Sequence, residues 1–312
     1  MSALPPSALP PRPRAVVDAH HHVWDLANDL PWLKGERIPF RYGDYGPICR
    51  DYMPADYRAD QAGWPVVASV YVEAEWNRAL AAQESRWVAA VAAAHGLPSA
   101  VVAWCDLAAP DAADLLASHA ELGIVRGVRH KPAAAASQAD ARRGQAGSMD
   151  DPAWRAGYAE LARHGMSYDL QTPWWHLDAA AELARDVPPT TLIVNHTGLP
   201  ADRSPEGLAG WRRALEAVAA QPNTALKISG LGIPGRPWTV DANGPVIRDA
   251  IAIFGVARCM FASNFPVDRL IGDFDTIFTG FLAATAERSD AERDALFHDN
   301  ATRFYRLQAP AD

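Results

Sequence analysis

Cysteine is scarce in this chain: Cys49, Cys105 and Cys259 are the three among 312 residues. Their odd number and wide spacing exclude a disulfide framework and a zinc-knuckle cluster, and point to a reducing compartment, the cytoplasm. Long apolar runs are missing as well, none reaching the roughly 18 residues that suggest a bilayer span. Positive charge is in deficit, with 29 Lys and Arg against 37 Asp and Glu for a net charge of −8. That balance speaks against nucleic acid, whose partners present a basic face. Residues 1–14 are proline-rich and have no apolar signal core, so a flexible or loosely docked tail is expected there. No repeat or linker divides residues 15–312, which read as one domain. Small-molecule chemistry remains, with neither membrane nor nucleic acid as partner.

What the chain has in quantity is alternation. Short β-rich runs recur at 15–19, 66–72, 100–104, 125–129, 167–170, 191–194, 225–228 and 260–262, spaced as strand-plus-helix units require. Between them, segments 79–94, 111–121, 151–163, 177–185, 208–220 and 246–254 carry the apolar spacing of helices. The pattern predicts an α/β fold, a closed parallel (β/α)8 TIM barrel in a single domain. A doubly wound sheet would place a glycine-rich phosphate turn after the first strand; here histidines occupy that turn. Residues 25–60 make too long a loop for an ordinary connection after strand one. They bring Trp32, Tyr42, Tyr45, Tyr52 and Tyr57 together with Lys34, Arg37, Arg41, Arg50 and Arg58. Such a loop either covers the mouth and holds an anionic, oxygen-rich ligand, or packs on the barrel wall.

Strand C-termini converge on the mouth of a barrel, and here they are polar. On an extended first strand His20 and His22 share a face while His21 points elsewhere, an arrangement suited to a divalent metal or to proton transfer. Glu73 ends the second strand, either as metal ligand or proton acceptor, or as the ion-pair partner of a base at the mouth. Arg129 and His130 end the fourth; Arg129 either grips a ligand carboxylate or pairs with Glu73 or Asp169. Gln171, Trp174 and His176 follow the fifth, and His196 the sixth. His130 and His176 can equally bond loop backbone. Lys227 lies within an apolar seventh strand and needs an acid or a ligand beside it. Asn264 and Asp268 follow the eighth, where Asp268 has the alternative of capping a helix. Trp24, Trp76, Trp104 and Trp174 are candidate apolar walls.

Four stretches make the reading more specific: Asp18-Ala19-His20-His21-His22-Val23-Trp24-Asp25, Val194-Asn195-His196-Thr197-Gly198-Leu199-Pro200, Phe261-Ala262-Ser263-Asn264-Phe265-Pro266-Val267-Asp268 and Asn300-Ala301-Thr302-Arg303-Phe304-Tyr305. In this order they resemble the amidohydrolase-2 type of the amidohydrolase superfamily, which includes sugar-acid, sulfomuconolactone and pyrone-dicarboxylate lactonases. The resemblance covers everything after the tail. It implies a TIM-barrel hydrolase, most often one that opens a lactone with activated water.

By position, His20 and His22 match the family's first-strand pair, which binds metal or polarises the substrate carbonyl. His196 matches the sixth-strand histidine near that carbonyl. Some members hold one divalent metal, here zinc or manganese on His20 and His22 with Glu73 or His196 as further ligands; others work without metal. The resemblance departs at the eighth strand, where catalytic members carry an aspartate as general base and this chain has Asn264. An amide cannot take a proton from water. Glu73 is the first candidate to replace it and Asp268 the second, with His196 and either a metal or Lys227 stabilising the oxyanion. Trp24, Trp76, Arg129, His130, Gln171, Trp174 and Lys227 are the candidate substrate contacts. The expected substrate is small and carboxylated or polyhydroxylated; a homodimer is left open. The rival functions are a metal-dependent decarboxylase of an aromatic or muconate-type acid, and a non-catalytic barrel.

Overall fold

The computed structural model describes residues 9–308. Eight strands pair in chain order, each parallel to the next: β1 (Val16–His21), β2 (Val66–Val72), β3 (Ala100–Trp104), β4 (Val125–Arg129), β5 (Ser167–Leu170), β6 (Leu192–Val194), β7 (Thr224–Ile228) and β8 (Cys259–Phe261). Most strand residues are buried, as strands enclosed by helices on one side and a packed interior on the other must be. Helices Ala81–His95, Ala112–Glu121, Pro152–Glu160, Leu177–Asp186, Pro205–Ala219, Val240–Phe254 and Phe274–Ala284 form the outer layer. This is the TIM barrel that the alternation predicts.

Two differences from the expected elements have local causes. The helix expected at 246–254 begins earlier, at Val240. Thr239 caps it by accepting from the Ala242 amide, which offsets the backbone bond lost at Pro245. The helix Phe274–Ala284 lies outside the expected set. Its Phe274, Ile277, Phe278 and Phe281 bury an apolar stripe, with the Phe281 ring stacked on Phe261 at 4.4 Å. Of the proline-rich tail, residues 9–14 are described, and Arg12 docks them by pairing with Asp275 at 2.5 Å and lying over Trp64. The remainder of the tail falls outside the described residues. Among the described residues, no helix is long and apolar enough to cross a membrane.

The β1–β8 seam is closed by the residues that follow β8. The Asn264 amide donates to His20 O at 2.8 Å and the His22 amide to Phe265 O at 2.7 Å. Asp18 pins the same seam from a fully buried position. It accepts from the Ser263 amide at 2.8 Å, the Ser263 hydroxyl at 2.5 Å and the Tyr57 hydroxyl at 2.6 Å. The motif around 261–268 therefore completes the barrel as well as lining its mouth. At the other end of the barrel, Tyr305 packs beneath an interior of Val17, Ala19, Val70, Val102, Ile193 and Met260.

Candidate active site

A shift of register between Asp18 and His21 places one extra residue of β1 against β2. Such a bulge changes which side chains face inward. Val17 and Ala19 pack in the barrel interior, and the bulge lets His20 and His22 join that face above them. His21 turns outward and stacks on Tyr57 at 4.2 Å. The rings of His20 and His22 lie 5.1 Å apart, and those of His20 and His196 4.6 Å. Simple alternation predicts the pairing of His20 with His22, but not that a bulge is needed for Ala19 to share their face.

All three imidazoles are buried and held neutral. Burial, followed by the charge of Lys227, pushes His20 well below its ordinary pKa. Burial and Arg129 lower His22 to about 3, and burial with Arg41 and Arg129 lowers His196. The His22 tautomer follows from its partner. A carbonyl can only accept, so Nδ1–H donates to Val72 O at 2.8 Å and Nε2 carries the lone pair, beside Asn264 at the cavity. His196 Nδ1 bonds the Ser229 hydroxyl at 3.0 Å. Gly230, at φ +59°, makes this fit possible: a Cβ there would sit 2.7 Å from the His196 ring. Glu75, His196, Thr197 and Asn264 all have φ between 51° and 57°, a concentration of backbone strain at three strand ends.

These groups border a cavity of about 210 Å³ at the C-terminal mouth. His22, His196 and Asn264 line it at the strand ends, with Arg129, Lys131, Gln171 and Glu75 as further polar groups and Trp24, Ala74 and Val267 as apolar ones. The long loop supplies the cover, through Trp32, Ile38, Phe40 and Arg41. Trp32 is tied down by its Nε1–H, which donates to Ala74 O at 2.9 Å. Loop composition flags Trp32 and Arg41 as members of a group, but nothing in their spacing singles them out.

Glu73 has a different place from the one expected of a base. Its carboxylate accepts from Arg129 Nε at 2.7 Å, Arg78 Nη1 at 2.8 Å and the Glu75 amide at 2.9 Å. Burial alone would raise its pKa, but Arg129, Arg78 and Lys131 outweigh burial and hold it at about 2. It does not line the cavity. Arg129 is equally engaged: Nη2 donates to Glu73 O at 2.6 Å and Nη1 to Gln171 Oε1 at 3.1 Å.

Asp268 contrasts with it. Burial pushes its pKa up to about 6, against the opposing pull of Arg41, Asn264 and Tyr42. One oxygen accepts from Asn264 Nδ2 at 2.6 Å and from the Tyr42 hydroxyl at 3.1 Å. The carboxyl therefore stands directly behind the cavity-lining Asn264.

Lys227 is fully buried and pairs with Asp169 at 2.5 Å. The Tyr305 hydroxyl donates to the same carboxylate at 2.9 Å. The lysine thus has the acid partner its position demands, and it does not border the cavity. Trp76 packs on Trp87, and Trp174 packs against Gly210; neither lines the cavity. His130 and His176 accept from the Leu107 and Ala135 amides, the backbone role open to them.

The resemblance implies a divalent metal at this mouth. Both ring nitrogens of His20 are buried without a partner, which invites an ion. Yet among the described residues no three His, Cys, Asp or Glu side chains are placed to hold one. Asn264 stands where an acid ligand would, and Glu73 is engaged by arginines. The three imidazoles of His20, His22 and His196 lie close together, but Glu73, the expected acid ligand, is held by Arg129 and Arg78 and does not line the cavity. As placed, the donor set does not fit a metal centre.

Residues 17–307 match the amidohydrolase family, and the chain belongs to it. An uncharacterized protein of Sinorhizobium fredii is 41% identical over 294 residues, covering 94% of this chain and 99% of the relative. An L-fucono-1,5-lactonase of Burkholderia multivorans is 31% identical over 319 residues, covering 95% and 97%. A crystal structure of a Burkholderia multivorans amidohydrolase with bound HEPES gives a TM-score of 0.78 at 29% identity, over 94% of this chain and 100% of that one.

Proposed function

We propose that this amidohydrolase opens a lactone, with Asp268 as the acceptor of the proton of the attacking water. The lactonase relatives support the reaction class. The observation that carries the assignment is Asp268 itself: a buried carboxyl with a pKa of about 6, bonded at 2.6 Å to the amide that stands where the family's acid would be. A base is most effective when its pKa lies near the working pH. Glu73, at about 2, is too weak a base, and both its oxygens are taken by arginines.

Asn264 follows from the same arrangement. A second carboxylate 2.6 Å from Asp268 would force one of the two to hold a proton. An amide instead donates Nδ2–H to Asp268 and leaves that carboxyl to titrate alone, so that the attacking water keeps one hydrogen for His22 and one for the path to Asp268. The His22 Nε2 lone pair accepts from that water and orients it.

The water oxygen bonds to the carbonyl carbon while one proton passes, by way of one further water, to Asp268. His196 receives a hydrogen bond from Ser229 at Nδ1 and turns Nε2–H toward the oxyanion. Collapse breaks the ring C–O bond, and the proton held on Asp268 returns to the leaving alkoxide. No step requires Lys227, whose charge helps to keep His20 and His196 neutral.

The test is Asp268→Asn, with acid release from a panel of lactones followed by a pH indicator and corrected for spontaneous opening. The expected loss in kcat is about 10²–10⁴-fold, the range for a general base. A folded variant retaining kcat within threefold would overturn the assignment.

A further inference from the structure

Charge and hydrogen-bond pairing around the cavity is uneven, and the imbalance says what kind of lactone it takes. Three cations border the cavity: Arg41, Arg129 and Lys131. Arg129 is engaged by Glu73 and Gln171. Lys131 is paired with Glu75. Arg41 differs: its guanidinium lies over the Tyr42 ring at 4.6 Å, and Nη2 donates to Gly230 O at 2.5 Å. Among the described residues no carboxylate lies within ion-pair distance of it. A guanidinium has five N–H donors, so Arg41 keeps most of its donors for something else.

Beyond His22 Nε2 and Asn264 Oδ1, side-chain acceptors in the lining are few. Glu75, the one carboxylate in the lining, is paired with Lys131 and lies 3.7 Å from Arg78. Gln171 Oε1 already accepts from Arg129. A polyhydroxylated lactone brings several O–H donors, and burying these without acceptors costs about 1–3 kcal/mol each. The rest of the lining is apolar: Trp24, Trp32, Ile38, Phe40, Ala74 and Val267. Ile38 is 54% exposed at the rim.

Resting on the lactonase reading, we infer that the substrate is a lactone with a carboxylate for Arg41 and an apolar, hydroxyl-poor ring for the aromatic wall. It is not a neutral sugar lactone. Arg41 is then the specificity-determining residue, bound to the carboxylate in a paired, planar fashion.

The experiment compares kcat/KM for γ-butyrolactone γ-carboxylate, its neutral carboxamide and galactonolactone, in wild type, Arg41→Met and Arg41→Lys. Wild type is expected to favour the carboxylate at least tenfold over both neutral compounds. Arg41→Met should cut the carboxylate's kcat/KM at least ten times more than the carboxamide's, the excess falling on KM while both compounds lose kcat near neutral pH as the Asp268 pKa rises, and Arg41→Lys should recover part of both losses. Preference for galactonolactone, or an equal loss on both butyrolactones, would overturn the inference.

Calorimetry with the ring-opened hydroxy diacid separates the two levels. If no lactone is opened yet the diacid binds in an Arg41-dependent way, the lactonase reading fails and the anion site stands. Diacid binding unchanged by Arg41→Met would sink the site itself.

Discussion

Glu73 and Asp268 are both carboxylates, both buried at the mouth to within 2% exposure, and separated from the cavity by little. The barrel gives them opposite environments. Around Glu73, side chains from β4 and from the turn after β2 bring two guanidiniums to within 2.8 Å, so the charge is compensated and the group is fixed as an ion. Around Asp268 the side-chain partners at hydrogen-bond distance are an amide and a phenol, and the more distant charge of Arg41 offsets only part of the cost of burial, which leaves the proton easily exchanged. Position at a strand end therefore does not make a carboxylate a base; the balance of burial against charge does.

Replacing each carboxylate by its amide breaks this comparison most sharply. Asp268→Asn removes the proton acceptor, so its loss in kcat, about 3–5 kcal/mol in barrier, should come with no loss of fold. The stability effect has the opposite sign. A folded-state pKa raised from 3.8 to about 6 means that stability is complete at low pH and lost as pH rises through 6. The amide escapes that loss. Thermal unfolding near pH 8 should show the variant more stable than wild type by about 1–2 kcal/mol, with the gap closing below about pH 4. A destabilised variant near pH 8 would mean that Asp268 is structural.

Glu73→Gln should do the reverse, costing about 3–5 kcal/mol because Arg129 is left as a buried, unpaired charge. Glu73 has a lowered folded pKa, so its contribution is present above 4.5 and lost as pH falls toward about 2. Denaturant titration at neutral and acid pH reads this: the gap to wild type should shrink below about pH 4. Loss of turnover with stability untouched would restore Glu73 as a catalytic candidate.

Why the sequence separates these two groups poorly is a matter of range. Strands are local and legible: β2 to β5 fall where their apolar, β-branched runs end, because the pattern and the burial are the same fact. The helix Phe274–Ala284 is less visible, since Thr276, Thr279 and Gly280 lower its intrinsic propensity and packing makes up the difference. The histidine pair is legible from alternation, and the bulge that lets Ala19 share its face is not. The partners of Glu73 are Arg78, five residues on, and Arg129, 56 residues on. Only the closed barrel brings the second to the first. The same holds for Tyr42 and Asp268, 226 residues apart.

Asn264→Asp places two carboxylates in direct contact and sharpens the comparison from the other side. The pair must share a proton, so the acid limb of the kcat profile, expected near 6 in wild type, should move to higher pH by about one unit or more. A limb that stays in place would show that Asp268 does not report on residue 264.

The smallest effect is expected from Tyr42→Phe, and it is the most discriminating. The Tyr42 hydroxyl donates to the ionised form of Asp268; a hydrogen bond to the charged form lowers the pKa, so its removal raises it. One such bond is worth about 1 kcal/mol, or somewhat under one pKa unit. Activity in wild type needs the ionised carboxyl and rises with pH through about 6. In the variant that rise should come at higher pH, with the plateau kcat near that of wild type. A lowered plateau at an unmoved limb would instead assign Tyr42 to the chemistry and leave the proton acceptor elsewhere.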